Sequence, residues 1–211
     1  MHPVDCPEWE YEHSPNHALV ALRCIEFLKA LRSGHVVHKA TLLDTRGEHG
    51  KIFLGTTPAR CNYFAGHYRG EGYRCLEFYG VKVAADPRVG ADPRRVVYEM
   101  ANLSTVIINP GLAALKAAFE CPDSRISPEQ KLHYLVVFCC KVLEEFLRIH
   151  PYANGNGHTG RLIVWVLLAA HGYWPQRWPL DESPPYSHLL TQYRNRVHQP
   201  LEDFVLKCIS G

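Results

Sequence analysis

His150 and Arg161 are the two side chains best suited to joint chemistry in this chain. Ten residues separate them: Pro151, Tyr152, Ala153, Asn154, Gly155, Asn156, Gly157, His158, Thr159 and Gly160. An imidazole has an unperturbed pKa of about 6.5, so His150 can take a proton from a hydroxyl near neutral pH. A guanidinium is permanently charged and offers a bidentate fork to phosphate oxygens. Gly155 and Gly157 lack a Cβ and let a ligand approach the backbone. A helix starting beyond them would add unpaired N–H groups and the positive end of its dipole. A phosphate cradle beside a base suits transfer of a phosphate-containing group to an alcohol. The plainer alternative is a glycine-rich helix connection with a buried histidine.

Two apolar segments must hold this loop. Leu132, Leu135, Val136, Cys139, Leu143, Phe146 and Leu147 recur mostly at steps of three and four, the stripe of an amphipathic helix. Ser127-Pro128-Glu129-Gln130 would start that helix, with serine as cap, proline first and glutamine third. After the loop, Leu162 to Ala170 is apolar throughout, which suits a central helix surrounded by others. That run is less than half of the ~20 residues a membrane span needs.

The stretch from His150 to Arg161 resembles the signature of the Fic/Doc family, His-Pro-Phe-x-(Asp/Glu)-Gly-Asn-Gly-Arg-x-x-Arg. His150, Pro151, Gly155, Asn156, Gly157 and Arg161 match, and Tyr152 stands in for phenylalanine. The resemblance implies an all-α, mainly helical bundle with a small β-hairpin flap. It also implies transfer of AMP from ATP to a Ser, Thr or Tyr hydroxyl of a protein, with pyrophosphate released. His150 would then be the general base. Asn154, Gly155, Asn156, Gly157, His158 and Arg161 would surround the nucleotide phosphates, with Arg161 on the terminal one. Mg²⁺ or Mn²⁺ would bridge those phosphates.

Two positions depart from the family pattern. The metal-holding acid is Asn154 here, and the first arginine is His158. An amide oxygen brings no charge to Mg²⁺, which prefers carboxylates, phosphates and water. A unit-charge interaction is worth roughly 4 kcal/mol at 4 Å and an effective dielectric near 20. An imidazole is charged only part of the time at neutral pH. Upstream, Gly66-His67-Tyr68-Arg69 resembles the start of the flap, which would hold an extended target segment by strand addition. Leu76 to Val83 has the Phe, Tyr and Val content of a strand. The alternative is an ordinary surface hairpin.

The remaining composition is ordinary. The chain has 211 residues, a formal charge of +2 and 46% hydrophobic residues, enough for one domain with a sizeable core. Residues 1–16 read as a loose lead-in and residues 17–211 as a single domain. The eight cysteines form no Cys-x-x-Cys pair, and no apolar export segment opens the chain, so all read as reduced thiols in a cytoplasmic protein. The histidines show no metal-binding spacing. Arg69, Arg74, Lys82, Arg88, Arg94 and Arg95 outnumber Glu71, Glu77, Asp86 and Asp92, which leaves nucleic acid open as a partner.

Along the chain, leucines from Leu19 to Leu31 predict a helix from His17 to Arg32, stopped by Ser33-Gly34. Thr45 to Gly50 reads as an exposed turn, and Thr56-Thr57-Pro58 as a helix start. Asp92-Pro93 opens a helix to about Ser104, and Asn109-Pro110-Gly111 reads as a break before a short helix, Leu112 to Glu120. Beyond the central helix, His171-Gly172 is a stop, residues 174–185 read as an aromatic loop, and helices follow at Tyr186 to Arg196 and from Pro200 to Cys208. Many Fic-like proteins carry an inhibitory Ser/Thr-x-x-x-Glu. No glutamate here has Ser or Thr four residues before it, so any such brake would come from a separate partner.

Two further readings share these residues. One keeps the base and cradle but uses another phosphorylated donor or a nucleic-acid acceptor. The other is a non-catalytic nucleotide-binding or interaction module, with Asn154 marking a lost metal site.

Overall fold

The computed structural model describes residues 6–81, 83, 86–176 and 187–210. Nine α-helices run through these residues: α1 (Ala18–Arg32), α2 (His38–Leu43), α3 (Arg46–Phe53), α4 (Pro93–Asn102), α5 (Asn109–Glu120), α6 (Pro128–Ile149), α7 (Asn156–Ala169), α8 (Ser187–Arg194) and α9 (Gln199–Ser210). No strand occurs among the described residues. The expected bundle is present, and the described residues give no support to the expected β-hairpin.

The centre is the antiparallel pair α6 and α7. Ser127 starts α6 as a capping box, its hydroxyl accepting from Gln130 N–H while the Gln130 amide accepts from Ser127 N–H. Leu135, Val136, Cys139, Leu143 and Phe146 are all buried, as their spacing requires. In α7 every residue from Leu162 to Leu168 is buried. Helices α1 and α2 pack on α7, while α4, α5, α8 and α9 pack on α6. Such all-round cover leaves no polar face on α7 beyond its first turn, and that first turn is the signature loop.

The segment from Ala65 to Asp92 explains the missing hairpin. Among its described residues, Gly90 N–H bonds to Arg148 O at 2.9 Å and Ala91 N–H to Ile149 O at 3.1 Å at the end of α6, and Arg69 N–H bonds to Pro151 O at 2.8 Å just beyond it. Other described residues here close local turns, such as Leu76 N–H to Tyr73 O. Leu76 and Tyr79 are buried. Strand-like composition here reflects packing against the core, which β-propensity measures as much as backbone preference.

Other expectations are corrected by longer contacts. Thr45 to Gly50 is not an exposed turn: α3 starts at Arg46, and His49, Ile52 and Phe53 form its buried face. Thr56 starts no helix, because its hydroxyl donates to Phe53 O at 2.8 Å and closes the end of α3. Pro110 does not break the chain. A π-helical stretch (Leu103–Ile108) joins α4 to α5 and puts Pro110 in the first turn of α5, where a missing N–H costs nothing. The helix expected from Tyr186 is described from Ser187, and residues 177–185 of the expected aromatic loop, with Tyr186, lie outside the described residues. At that loop's edge Arg32 stacks over Trp174 at 5.1 Å.

Within the described part of the expected lead-in, residues 6–16, one side chain packs into the core. Trp9 is 3% exposed; its N–H bonds to the Tyr79 hydroxyl and its indole donates to Thr56 O, each at 3.0 Å. Cys6 and Cys75 form a disulfide with a Cα–Cα distance of 5.5 Å, while Cys24, Cys61, Cys121, Cys139, Cys140 and Cys208 are in no disulfide. The expectation of eight reduced thiols is therefore wrong, and cysteine usage no longer argues for a cytoplasmic protein. The bond closes a sequence separation of 69 residues. On chain-entropy grounds Cys6→Ser should lower stability by about 2–4 kcal/mol. Thermal unfolding with and without reductant checks this, and equal midpoints for oxidised, reduced and Cys6→Ser protein would refute it. No described helix is long and apolar enough to cross a membrane.

Candidate functional site

His150 sits at the C-cap of α6 in the left-handed conformation, φ 54° and ψ 61°. Its Nδ1 lies 2.8 Å from Leu147 O. A carbonyl only accepts, so the ring proton is on Nδ1 and the lone pair is on Nε2. Burial, opposed by the Leu147 bond and helped by the Arg69 and Arg194 charges, pulls the imidazole down to about 4. His150 is thus neutral at pH 7, the form a base requires.

Arg69 holds that turn from behind. It is 0% exposed, and its guanidinium donates to four carbonyls: His150 at 2.8 Å, Tyr79 at 2.9 Å, Ile149 at 3.0 Å and Ala91 at 3.1 Å. Two of these end α6, where carbonyls lack intrahelical partners. Arg69 therefore does not face a target, and neither does Tyr68, which is 5% exposed. Of the three expected flap residues, His67 is the most exposed, and its Nδ1 pairs with the Glu71 carboxylate at 2.6 Å. The rest of the expected basic face is largely neutralised: Arg88 pairs with Asp86, Arg94 with Asp92 and Arg95 with Glu99.

His49, which the sequence did not single out, fixes the loop from α3. Its Nδ1 accepts from Gly66 N–H at 2.9 Å, so its Nε2–H donates to Asn154 O at 3.0 Å. The ring stacks on Tyr152 at 3.6 Å, and the Tyr152 hydroxyl bonds to that of Thr45 at 2.7 Å. A partner for that hydroxyl is why tyrosine can replace phenylalanine here. The spacing His49, Ile52, Phe53 was the available signal of a buried helical face. Burial pulls His49 down to about 3. Both imidazoles bury neutral, so the unfolded chain binds more protons below pH ~6.5. Their contribution is whole above that pH and is lost as pH falls toward 3–4, about 3–5 kcal/mol for each group. Urea unfolding at pH 7, 5.5 and 4.5 should show falling stability, and a pH-independent midpoint would refute it.

The loop itself is stapled from inside. The Asn156 amide accepts from Tyr152 N–H and donates to Tyr152 O, both at 2.9 Å. Gly155, at φ 76°, is the N-cap of α7 and brings no side-chain acceptor. A Cβ there would lie 2.4 Å from the Phe53 ring. Residues Asn156, Gly157 and His158 form the first turn of α7, where backbone N–H groups have no intrahelical acceptor. Arg161 follows one turn on, 3% exposed, and a Cβ on Gly157 would lie 3.4 Å from its Nη1. His150, Gly155, Gly157 and Arg161 line one cavity of about 420 Å³, whose other wall includes Glu8, Glu10, Tyr11, Glu12 and Val81.

The helix pair, the glycine turn and the segment Glu8 to Glu12 thus enclose a cavity lined by both an imidazole and a guanidinium. Residues 49–168 match the Fic/DOC family, more than half of the chain. The chain belongs to the Fic/DOC family. Among relatives, Protein adenylyltransferase Fic of Drosophila virilis is 33% identical over 64 residues, covering 30% of this chain and 13% of that protein. The protein of the same name from Drosophila erecta is 31% identical over 102 residues, covering 47% of this chain and 20% of the relative. The chain therefore aligns with only a minor part of these curated relatives.

The family's metal does not fit the residues present in this Fic/DOC chain. Asn154 Oδ1 accepts the N–H of Gly155, and its Nδ2 donates to Trp9 O at 2.8 Å. No cluster of three or more His, Cys, Asp or Glu suited to a metal occurs among the described residues. His158 also differs from the expected phosphate contact: Nδ1 lies 3.1 Å from Arg161 Nη2, and Nε2 lies 2.7 Å from the Tyr11 hydroxyl. Both ring nitrogens are engaged within the protein.

Proposed function

We propose that this Fic/DOC protein transfers AMP from ATP to a hydroxyl of a protein substrate, with His150 as the base. The observation that carries this reading is the neutral His150 imidazole lining the same cavity as Arg161 and the first turn of α7. The acceptor hydroxyl gives its proton to His150 Nε2 while its oxygen attacks the α-phosphorus. The bond from that phosphorus to the bridging oxygen of the β-phosphate breaks, and pyrophosphate leaves. The N–H groups of Asn156 and Gly157 and the Arg161 guanidinium offset the charge spread over the phosphates. The adenylyltransferase names of the Drosophila relatives support the same reaction class. No step is assigned to a divalent cation, because the Asn154 side chain carries no charge and its two amide atoms bond to Gly155 N–H and to Trp9 O.

The test is incubation with α-labelled ATP and cell lysate, with and without Mg²⁺ or Mn²⁺. Labelled protein that disappears with His150→Asn supports the proposal. Absence of label from every nucleoside triphosphate overturns it. A second reading keeps the base but takes another phosphorylated donor, including transfer to a nucleic-acid end. It is favoured by Asn154 and His158 being engaged internally, which leaves one guanidinium and the helix start for the donor's charge. A thermal-shift panel of nucleotides separates the two: a donor that stabilises the protein more than ATP selects the second.

A further inference from the structure

The N-terminal segment reaches the phosphate cradle through one side chain. Tyr11 lies edge-on against Phe53 at 5.2 Å and against His158 at 5.5 Å between ring centroids. Its hydroxyl is 2.7 Å from His158 Nε2, and His158 Nδ1 is 3.1 Å from Arg161 Nη2. The protons in this chain are determined by chemistry. A guanidinium has donors only, so Nδ1 must accept from Arg161. A neutral imidazole then carries its proton on Nε2, and the Tyr11 oxygen accepts it. With Nδ1 protonated instead, two donors would face each other at Arg161. The Tyr11 proton is left for the Glu12 carboxylate, which bonds to it; burial first, and Glu12 second, push the phenol up to about 12. The phenol therefore stays protonated across the working pH range.

We propose that Tyr11 is a positioning residue: by accepting from His158 Nε2–H it keeps Nδ1 as an acceptor that orients the Arg161 guanidinium toward a bound phosphate. His158 then holds no phosphate itself. It serves as a neutral bracket between a segment 147 residues away in sequence and the anion-holding fork. Trp9 and the Cys6–Cys75 bond keep that segment in place, since Trp9 O accepts from Asn154 and its indole is anchored on Thr56 O. The role assigned to Arg161 rests on the proposed function; the assignment of Tyr11 to His158 does not.

Tyr11→Phe tests it, because the ring contacts remain and only the hydroxyl is lost. Inorganic pyrophosphate is titrated by calorimetry into the oxidised full chain and into Tyr11→Phe, His158→Asn and the double variant. Tyr11→Phe should weaken pyrophosphate about fivefold to tenfold with an unfolding midpoint close to wild type. The same change in the His158→Asn background should have no further effect, since the bracket is already gone. Equal weakening in both backgrounds, or none in either, overturns the proposal. A second readout separates it from the phosphate reading. In protein labelled with ¹⁵N-histidine, His158 should show the Nε2–H tautomer, and its ring nitrogens should shift in Tyr11→Phe. If no protein binds pyrophosphate yet these shifts appear, the phosphate role of Arg161 fails and the Tyr11–His158 bond stands. If wild type shows the Nδ1–H tautomer, Tyr11 is not the bracket.

Discussion

Replacing His150 with asparagine should lower AMP transfer by about 10²–10⁴-fold, the usual worth of a positioned general base. Pyrophosphate binding should stay near the wild-type value, because the cradle is built by Gly155, Asn156, Gly157 and Arg161 and not by the imidazole. Asparagine is the informative replacement. The backbone at His150 has φ 54°, a left-handed conformation that asparagine adopts more readily than alanine. The turn that points position 150 at the cavity is then retained while the Nε2 lone pair is lost. Single-turnover assays with labelled ATP, alongside calorimetry with pyrophosphate, read the two quantities separately. An unchanged rate would remove His150 from the reaction. The wild-type pH profile gives an independent check: with its imidazole near 4, His150 should lose activity on the acid side near pH 4. An acid limb near 6.5 would mean that the base is a different, exposed group.

The largest expected effect on stability belongs to Arg69→Met. A fully buried guanidinium whose donors meet four backbone carbonyls is the hub that ties residues 79 and 91 to the end of α6. Methionine fills much of the space and satisfies none of those oxygens. Carbonyls at a helix end that lose their donors and stay buried cost the desolvation of each group, about 3–5 kcal/mol together. For a chain of this size that is a fall in unfolding midpoint of roughly 6–20 °C. Burial pulls the guanidinium down only to about 10, so it remains charged at neutral pH and the bonds are charge-assisted. Arg69→Lys should recover part of the loss, since an ammonium keeps the charge but cannot reach four acceptors in a plane. Differential scanning calorimetry on both variants decides it. A midpoint within 2 °C of wild type for Arg69→Met, a shift of less than about 1 kcal/mol, would show that water replaces the guanidinium.

These two residues differ in how far their roles could be read in advance. His150 stands in a contiguous run with Pro151, Gly155, Asn156, Gly157 and Arg161, and its flanking helices carry local signals. The Ser127 cap, the apolar steps through α6 and the unbroken run in α7 depend on neighbours within a few residues, so periodicity and capping chemistry exposed them. The family and the helical fold were therefore legible from sequence alone.

What the sequence could not disclose are the contacts that close over long distances. Arg69 looked like a surface residue of a hairpin because its four acceptors are backbone carbonyls, which carry no sequence signal, ten to eighty-one residues away. His49 reaches Asn154 across 105 residues and Tyr11 reaches His158 across 147. Cys6 pairs with Cys75 across 69, in a chain whose cysteine spacing suggested no pair at all. In each case the side chain's type was visible but its partner was set by tertiary packing. Local sequence thus determined the helices with strong caps and apolar periods, above all the pair α6 and α7, and the residue types gathered in the loop between them. Tertiary packing alone decided that Asn154 and His158 are spent inside the protein, that the N-terminal segment forms a wall of the cavity, and that His150 is held neutral, because burial and long-range hydrogen bonds, not residue identity, set those properties.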